Sequence, residues 1–209
     1  ATLAVVMLLV IAGNTLQLAL AWIATSVFLH KLLLFYPERV AAQRAARKKW
    51  VVARAGDVAL IVAVVILHGQ YGTGDIATIL SEAATDGAPG ATWVAAFLAL
   101  AAILKSAQFP THGWLTEVME TPTPVSALLH AGVINAGGFL LIRFADVMLL
   151  SPAVLAVLVM LGGFTALFGG LVMLTQSAVK TSLAWSTVAQ MGFMILQCGL
   201  ALFPLALLH

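Results

Sequence analysis

Residues 91–110 read ATWVAAFLALAAILKSAQFP, an apolar run that ends in Lys105 and is followed five positions later by Pro110. The run before the lysine would rise about 20 Å as a helix, so Lys105 should lie deep in a membrane. Proline has no amide donor and breaks the helix beyond Lys105. Broken helices at membrane depth are tolerated where their backbone lines a cavity or a polar path. The stretch therefore predicts a transporter or channel with a titratable lysine near its centre.

The rest of the chain is equally apolar. Of its 209 residues, 62% are hydrophobic and 9% are charged, and the mean hydropathy is +1.08. A soluble domain contains about a quarter charged residues, so we expect lipid to cover this surface. Apolar runs predict helical spans, and we expect a piece of a longer subunit, with spans at 15–36, 50–69, 91–108, 125–147, 152–174 and 178–202, a truncated span at 2–12 and another from about Phe203. The runs are too long for barrel strands and lack a period of two, so the fold class is all-α, a polytopic transmembrane helical bundle.

The charged residues predict how the chain crosses the membrane. Six of its ten basic residues lie between Arg39 and Arg54, whereas residues 70–90 contain three acids and no base. By the positive-inside rule, loop 37–54 is cytoplasmic and loop 70–90 is periplasmic. The glycines and proline of residues 70–90 predict a stretch without helix. The basic loop is also a candidate surface for docking an acidic partner.

Ionisable residues inside spans are the candidate functional residues, because each costs about 2.5–3.5 kcal/mol to insert. Simpler structural roles remain open for each of them. Lys105 could bond to a carbonyl oxygen, His130 could be a packing histidine, and Lys180 could reach the interface with its charge. His30 and Lys31 could mark the end of a helix. No set of metal ligands is evident in the sequence, so we expect no cofactor in this chain.

Two blocks of sequence resemble those of a known family. KSAQFPTHGWLTEVMETPTPVSALLHAG (105–132) and VKTSLAWSTVAQMGFM (179–194) are similar to signatures of the antiporter-like subunits of respiratory complex I and Mrp-type antiporters. The resemblance implies inverted five-helix repeats, a broken helix near residues 105–120 and a polar axis at mid-membrane. It also implies roles for four residues in proton translocation: Lys105 as the broken-helix lysine, His130 as the linking histidine, Lys180 as the bridging lysine, and His209 at the start of a second broken helix. His112 is a further candidate for the pathway.

One position departs from the family pattern. Family members usually carry Trp-Glu in the span that contains Trp22, and that glutamate pairs with the broken-helix lysine. Aligning Trp22 places Ile23 where the glutamate should be. The usual carboxylate partner of Lys105 is therefore expected to be absent. Either His30 and Lys31 have rewired the path, or the coupling differs from that of complex I.

The departure at Ile23 and the sequence of residues 112–150 most resemble the DabB-type membrane subunits of bacterial inorganic-carbon accumulation systems. That resemblance implies a transporter subunit of the bacterial inner membrane, not an enzyme, in which proton or sodium flow drives uptake of CO2 or bicarbonate. It also implies a DabA-like partner, a large zinc protein related to β-carbonic anhydrases, with the zinc held by the partner. Two alternatives remain: an antiporter-like subunit of NADH-quinone oxidoreductase, against which Ile23 argues, and a non-conducting scaffold, which full activity of Lys105→Ala would favour.

Overall fold

The computed structural model describes residues 2–34, 38, 40–86, 90–117 and 123–209. Within these residues the regular structure is helical and no β-strand forms, as the sequence predicts. The first six helices are α1 (Thr2–Val10), α2 (Thr15–Leu33), α3 (Val40–Tyr71), α4 (Ile76–Asp86), α5 (Ala91–Lys105) and α6 (Gly113–Glu117). The remaining helices are α7 (Thr123–Ala131), α8 (Ala136–Arg143), α9 (Ala145–Leu149), α10 (Pro152–Leu174), α11 (Val179–Gly199) and α12 (Phe203–Leu208).

Four stretches of the described residues are long and apolar enough to cross a membrane: Thr15–Leu33, Ala42–Tyr71, Val125–Arg143 and Pro152–Leu174. One face of α10 leaves large apolar side chains exposed at helical spacing, namely Val157, Met160, Phe164, Leu167, Leu171 and Leu174. A stripe of this width is too apolar to face water over a whole helix, and lipid is its natural solvent. The opposite face of α10 packs along α11.

The predicted basic loop 37–54 is mostly helical. Residues 40–54 form the first half of α3, which has 32 residues and runs on into the span without a break. Alanines such as Ala42, Ala45 and Ala46 are buried along this half, and alanine, arginine and lysine all favour helix. At 1.5 Å per residue α3 is about 48 Å long, so it extends beyond the roughly 30 Å of hydrocarbon. Positions 37 and 39 lie outside the described residues.

The stretch 70–90, which we predicted to lack helix, contains α4. Asp75 caps this helix, because its carboxylate accepts from the Thr78 amide at 2.9 Å and from the Thr78 hydroxyl at 2.8 Å. These bonds hold the pKa of Asp75 below its usual range. The amide of Ile76 donates to Gly13 O at 2.9 Å, which ties α4 to the start of α2. The glycines therefore flank a helix here instead of excluding one.

The chain breaks after Lys105, as the sequence predicts. Ala107 has a φ of +49°, which stops α5, and helix resumes only at Gly113. Glu117 is the last residue described in this region, so the predicted end of the break near residue 120 lies outside the described residues.

A second break interrupts the predicted span 125–147. Helix α7 ends at Ala131, a 3-10 turn covers Val133–Asn135, and α8 and α9 follow. The released carbonyl of Ile134 accepts from the Ser106 hydroxyl at 3.0 Å. At Gly137, an added Cβ would lie 2.2 Å from Ser106 Oγ, so only glycine allows α8 to approach the end of α5 this closely. The two breaks therefore face each other.

Candidate functional site

Lys105 is the last residue of α5 and is only 8% exposed. Its Nζ donates to Ser26 Oγ at 2.7 Å, to Thr25 Oγ1 at 3.0 Å and to the Trp22 carbonyl oxygen at 3.2 Å. It also lies 4.5 Å from the centre of the Trp22 ring. Residues spaced three and four apart share one face of a helix, so a single face of α2 provides all three acceptors. An ammonium has three donors, and this site can satisfy each of them with a neutral oxygen.

A second buried lysine lies beside the first. Lys49 of α3 is 4% exposed, and its Nζ donates to the Ser26 carbonyl oxygen at 2.6 Å. Both lysines line one cavity of about 10 Å³, together with Trp22 and Trp114. A cavity of that size holds about one water molecule. The sequence placed Lys49 in a cytoplasmic loop and gave no reason to expect it at this site.

The site also contains a carboxylate that the sequence analysis missed. Asp57 of α3 is 4% exposed, forms an ion pair with Arg54 at 2.5 Å and interacts electrostatically with Lys105. The usual glutamate is absent at Ile23, as expected, and the carboxylate that interacts with Lys105 comes from another helix. Asp57 is the one acid within the apolar run 50–69, and that isolation is the signal that could have identified it.

The proposed replacements for the missing glutamate are not in contact with Lys105. Lys31 is exposed. His30 is half-buried, and its ring centre lies 4.7 Å from that of Trp50, on the side of the site that holds Lys49. His30 is therefore a neighbour of the second lysine and not of the first.

Polar groups continue from Lys105 along the two facing breaks. Gln108 is fully buried, and its Nε2 donates to Ser106 O at 3.1 Å. Three buried polar atoms further along, Gln108 Oε1, Asn135 Oδ1 and His130 Nδ1, have no hydrogen-bond partner within the described part of the chain. Buried polar groups without a protein partner are usually satisfied by ordered water. Each of these atoms is therefore a place where a water molecule can bond.

His130 and Lys180 line a second cavity, of about 340 Å³, together with Ser126, Ser186 and Thr187. His130 is half-buried and Lys180 is exposed in this chain. The two side chains interact electrostatically. The structure thus brings together the two residues expected to follow Lys105 on the pathway.

The two other predicted pathway residues lie elsewhere. His112 sits in an aromatic cluster, with its ring centre 5.6 Å from Phe109, 5.7 Å from Phe168 and 5.2 Å from Trp185. His209 is exposed after the end of α12. Neither is in contact with Lys105 or with the second cavity. Across the described residues, no three histidine, cysteine or acidic side chains lie together in a way that could hold a metal ion.

Comparison with known proteins shows which family has this sequence and architecture. Residues 12–208 match the family described as NADH:quinone oxidoreductase/Mrp antiporter, TM. The probable inorganic carbon transporter subunit DabB of Hydrogenovibrio crunogenus is 48% identical over the whole chain, and the match covers 40% of that protein. NADH-ubiquinone oxidoreductase chain 5 of Metridium senile is 36% identical over 97% of the chain, which corresponds to 34% of that protein. The chain therefore spans about two fifths or less of the length of these relatives.

A solved structure gives the same answer for the fold. The Mrp complex from Dietzia sp. DQ12-45-1b superposes with a TM-score of 0.90 and 31% identity, over 96% of this chain and 22% of that one. The expected antiporter-like fold with its broken helix is thus confirmed. On these matches, the chain belongs to the NADH:quinone oxidoreductase/Mrp antiporter transmembrane family.

Proposed function

We propose that this chain is part of a cation-translocating membrane subunit of an energy-coupled inorganic-carbon uptake complex in a bacterial inner membrane. Protons are the proposed cation and Lys105 is the central titrating group. The observation that carries the proposal is a lysine buried at the end of a broken helix, bonded to three neutral acceptors and interacting electrostatically with Asp57. The assignment to inorganic carbon rests on the 48% identity to a DabB subunit, against 36% to a respiratory subunit.

The site has the components of a proton switch. The three acceptors on α2 support the ammonium form of Lys105, and the negative charge of Asp57 favours that form further. Arg54 competes for the same carboxylate and remains charged at any physiological pH. When Asp57 pairs with Arg54, Lys105 loses part of its stabilisation and can release a proton. When Asp57 turns toward Lys105, the lysine can hold one again.

The released proton would move along the two facing breaks toward His130. Gln108 and Asn135 present buried oxygens on this route, and waters bonded to them would carry the proton between the side chains. The cavity shared by His130 and Lys180 then receives it. Lys180 would pass the charge toward the second half of the full-length subunit.

The carbon chemistry would take place on a partner protein. We propose a DabA-like zinc protein related to β-carbonic anhydrases as that partner, with the zinc ligands on the partner and none in this chain. The basic face at the start of α3, formed by Arg44 and Arg47, is exposed and would face the cytoplasm. Ion flow through the membrane subunit would drive hydration of CO2 or uptake of bicarbonate in one direction.

Growth rescue tests this proposal. The full-length gene, expressed with its neighbouring partner gene, should allow a bacterium without carbonic anhydrase to grow in ambient air. Lys105→Ala should abolish rescue, while Lys31→Ala, at an exposed lysine away from the site, should preserve it. No rescue by the wild type, with both proteins in the membrane, would favour the respiratory function. Rescue by Lys105→Ala would favour a non-conducting scaffold.

A further inference from the structure

We propose that Lys49 is a second proton-carrying residue, which exchanges one proton with Lys105 through the water-sized cavity between them. This inference rests on the proposed function and extends it, because it assigns the step that loads Lys105. It would make the end of the bundle at which α3 begins the side from which protons enter.

Ser26 is the first support for this exchange. Its hydroxyl accepts from Lys105 at 2.7 Å and its carbonyl accepts from Lys49 at 2.6 Å, so a single residue of α2 binds both lysine nitrogens. The cavity of about 10 Å³ is lined by both lysines and has room for about one water. A water there would bond to both nitrogens and carry a proton from one to the other.

The charges around the cavity are the second support. Arg54 and Asp57 form an ion pair and neutralise each other. Lys49 and Lys105 then remain, and among the described residues no second carboxylate is in electrostatic contact with either of them. Two ammonium groups this close in a buried site repel strongly. The arrangement is stable when one of the two lysines is neutral, so the pair holds a single proton.

Within the part of the chain that the structure describes, the neighbouring helices supply no further counter-charge. Helix α2 contributes His30, which lies near Lys49 and carries no negative charge. Helix α6 contributes Glu117, but that carboxylate is paired at the surface with Lys48. His30 is half-buried and interacts electrostatically with Lys49, on the side of the basic end of α3. The order from that end is therefore His30, Lys49, water and Lys105.

Proton movement in vesicles tests the inference. The full-length subunit and its partner are reconstituted into liposomes that contain a pH-sensitive dye, and a potassium diffusion potential drives proton entry. Lys49→Met removes the proton-carrying group. Lys49→Arg keeps a cation and a donor for Ser26 O but cannot release its proton. Loss of a relay group costs about a hundredfold in rate, and we expect this for both variants.

The matched control is Lys48→Met. Lys48 is next to Lys49 in sequence, but it is exposed and paired with Glu117. An exposed ion pair contributes little, so this variant should translocate at the wild-type rate. Wild-type flux in Lys49→Arg would show that Lys49 is only a structural donor and would overturn the inference. If Lys49→Met does not reach the membrane, Lys49→Arg alone decides.

Lys105→Ala separates this inference from the proposed function. Flux that stops in Lys105→Ala but continues in Lys49→Arg would leave the proposed function intact and remove only the relay through Lys49. Flux that continues in Lys105→Ala as well would contradict both. Loss of flux in Lys105→Ala and in both Lys49 variants, with normal flux in Lys48→Met, is the expected result.

Discussion

The hydroxyl oxygen of Ser26 lies 2.7 Å from the ammonium nitrogen of Lys105. This contact joins the middle of α2 to the last residue of α5, at the point where α5 breaks. It fixes the lysine side chain against α2, beside the cavity that Lys49 of α3 also lines. The position of the central charge therefore depends on a small polar side chain as well as on the lysine itself.

Ser26→Ala should weaken this site without removing the lysine. Ser26 is fully buried, and loss of a hydrogen bond to a buried charged group costs about 1–3 kcal/mol. We expect a lower melting temperature of the purified full-length subunit and slower proton translocation. Ser81→Ala is the matched control, because the Ser81 hydroxyl is exposed and bonds only within its own helix, to Thr78 O. Equal melting temperatures for the two variants would contradict the assigned role.

Asp57→Asn should abolish translocation. Removing one partner of a buried ion pair costs about 3–5 kcal/mol, because the remaining charge is left without compensation. Without the negative charge of Asp57, Lys105 would favour its neutral form. Proton flux into liposomes should fall to background, and Asp57→Glu should retain part of it. Asp146→Asn, at an exposed aspartate on α9, is the control and should behave as wild type. Normal flux in Asp57→Asn would exclude Asp57 as the counter-charge.

Ile23→Glu should impair coupling in the wild-type background. Ile23 is half-buried and follows Trp22 on α2, so a glutamate there would add a second carboxylate near a lysine that already has Asp57. The same change should partly restore flux in Asp57→Asn, because it returns the missing negative charge. The double variant and both single variants are compared by proton flux. Unchanged or faster flux in Ile23→Glu alone would mean that the site still follows the usual family arrangement.

Gly192→Ala should destabilise the packing of α11 against α10. An added Cβ at this position would lie 2.5 Å from Ala166 N and 2.9 Å from Gly162 O, which are backbone atoms that cannot move aside. Overpacking of this kind costs about 1–3 kcal/mol. Gly170→Ala on α10 is the control, because nothing lies within 4 Å of its added Cβ. Thermal melting of the two variants should separate them, and equal stability would contradict the close approach of α10 and α11.

Sequence reasoning located the break and the central lysine because both have local signals. An apolar run ending in Lys105, with Pro110 after it, is informative without any knowledge of neighbouring helices. The carboxylate near that lysine is not on the helix where the family usually has it, since Asp57 reaches the site from α3 and not from α2. An isolated charged residue within an apolar span is a candidate functional residue on whichever helix it lies.

Helix α4 and the first half of α3 were not predicted, and the reason is different. Glycines at both ends of residues 75–86 indicate a loop, but the Asp75 cap and the burial of Ile76 and Ile79 decide for helix. The concentration of charge before Lys49 indicates a loop, but arginine, lysine and alanine are good helix formers and continue α3. The second break follows Ala131 and leaves the Ile134 carbonyl without a helical partner. The hydroxyl of Ser106, at the end of α5, donates to that carbonyl, and no local sequence pattern indicates this contact.

Cells with a Lys105→Met variant show whether inorganic-carbon uptake depends on the charge of Lys105. Methionine is similar in length to lysine and fills the same space without a charge. Cells that produce the full-length subunit with its partner are given radiolabelled bicarbonate, with and without a protonophore, and Lys31→Met is the control. We expect the wild type and Lys31→Met to take up bicarbonate only without the protonophore, and Lys105→Met to take up none. Undiminished uptake by Lys105→Met, at normal expression, would contradict it.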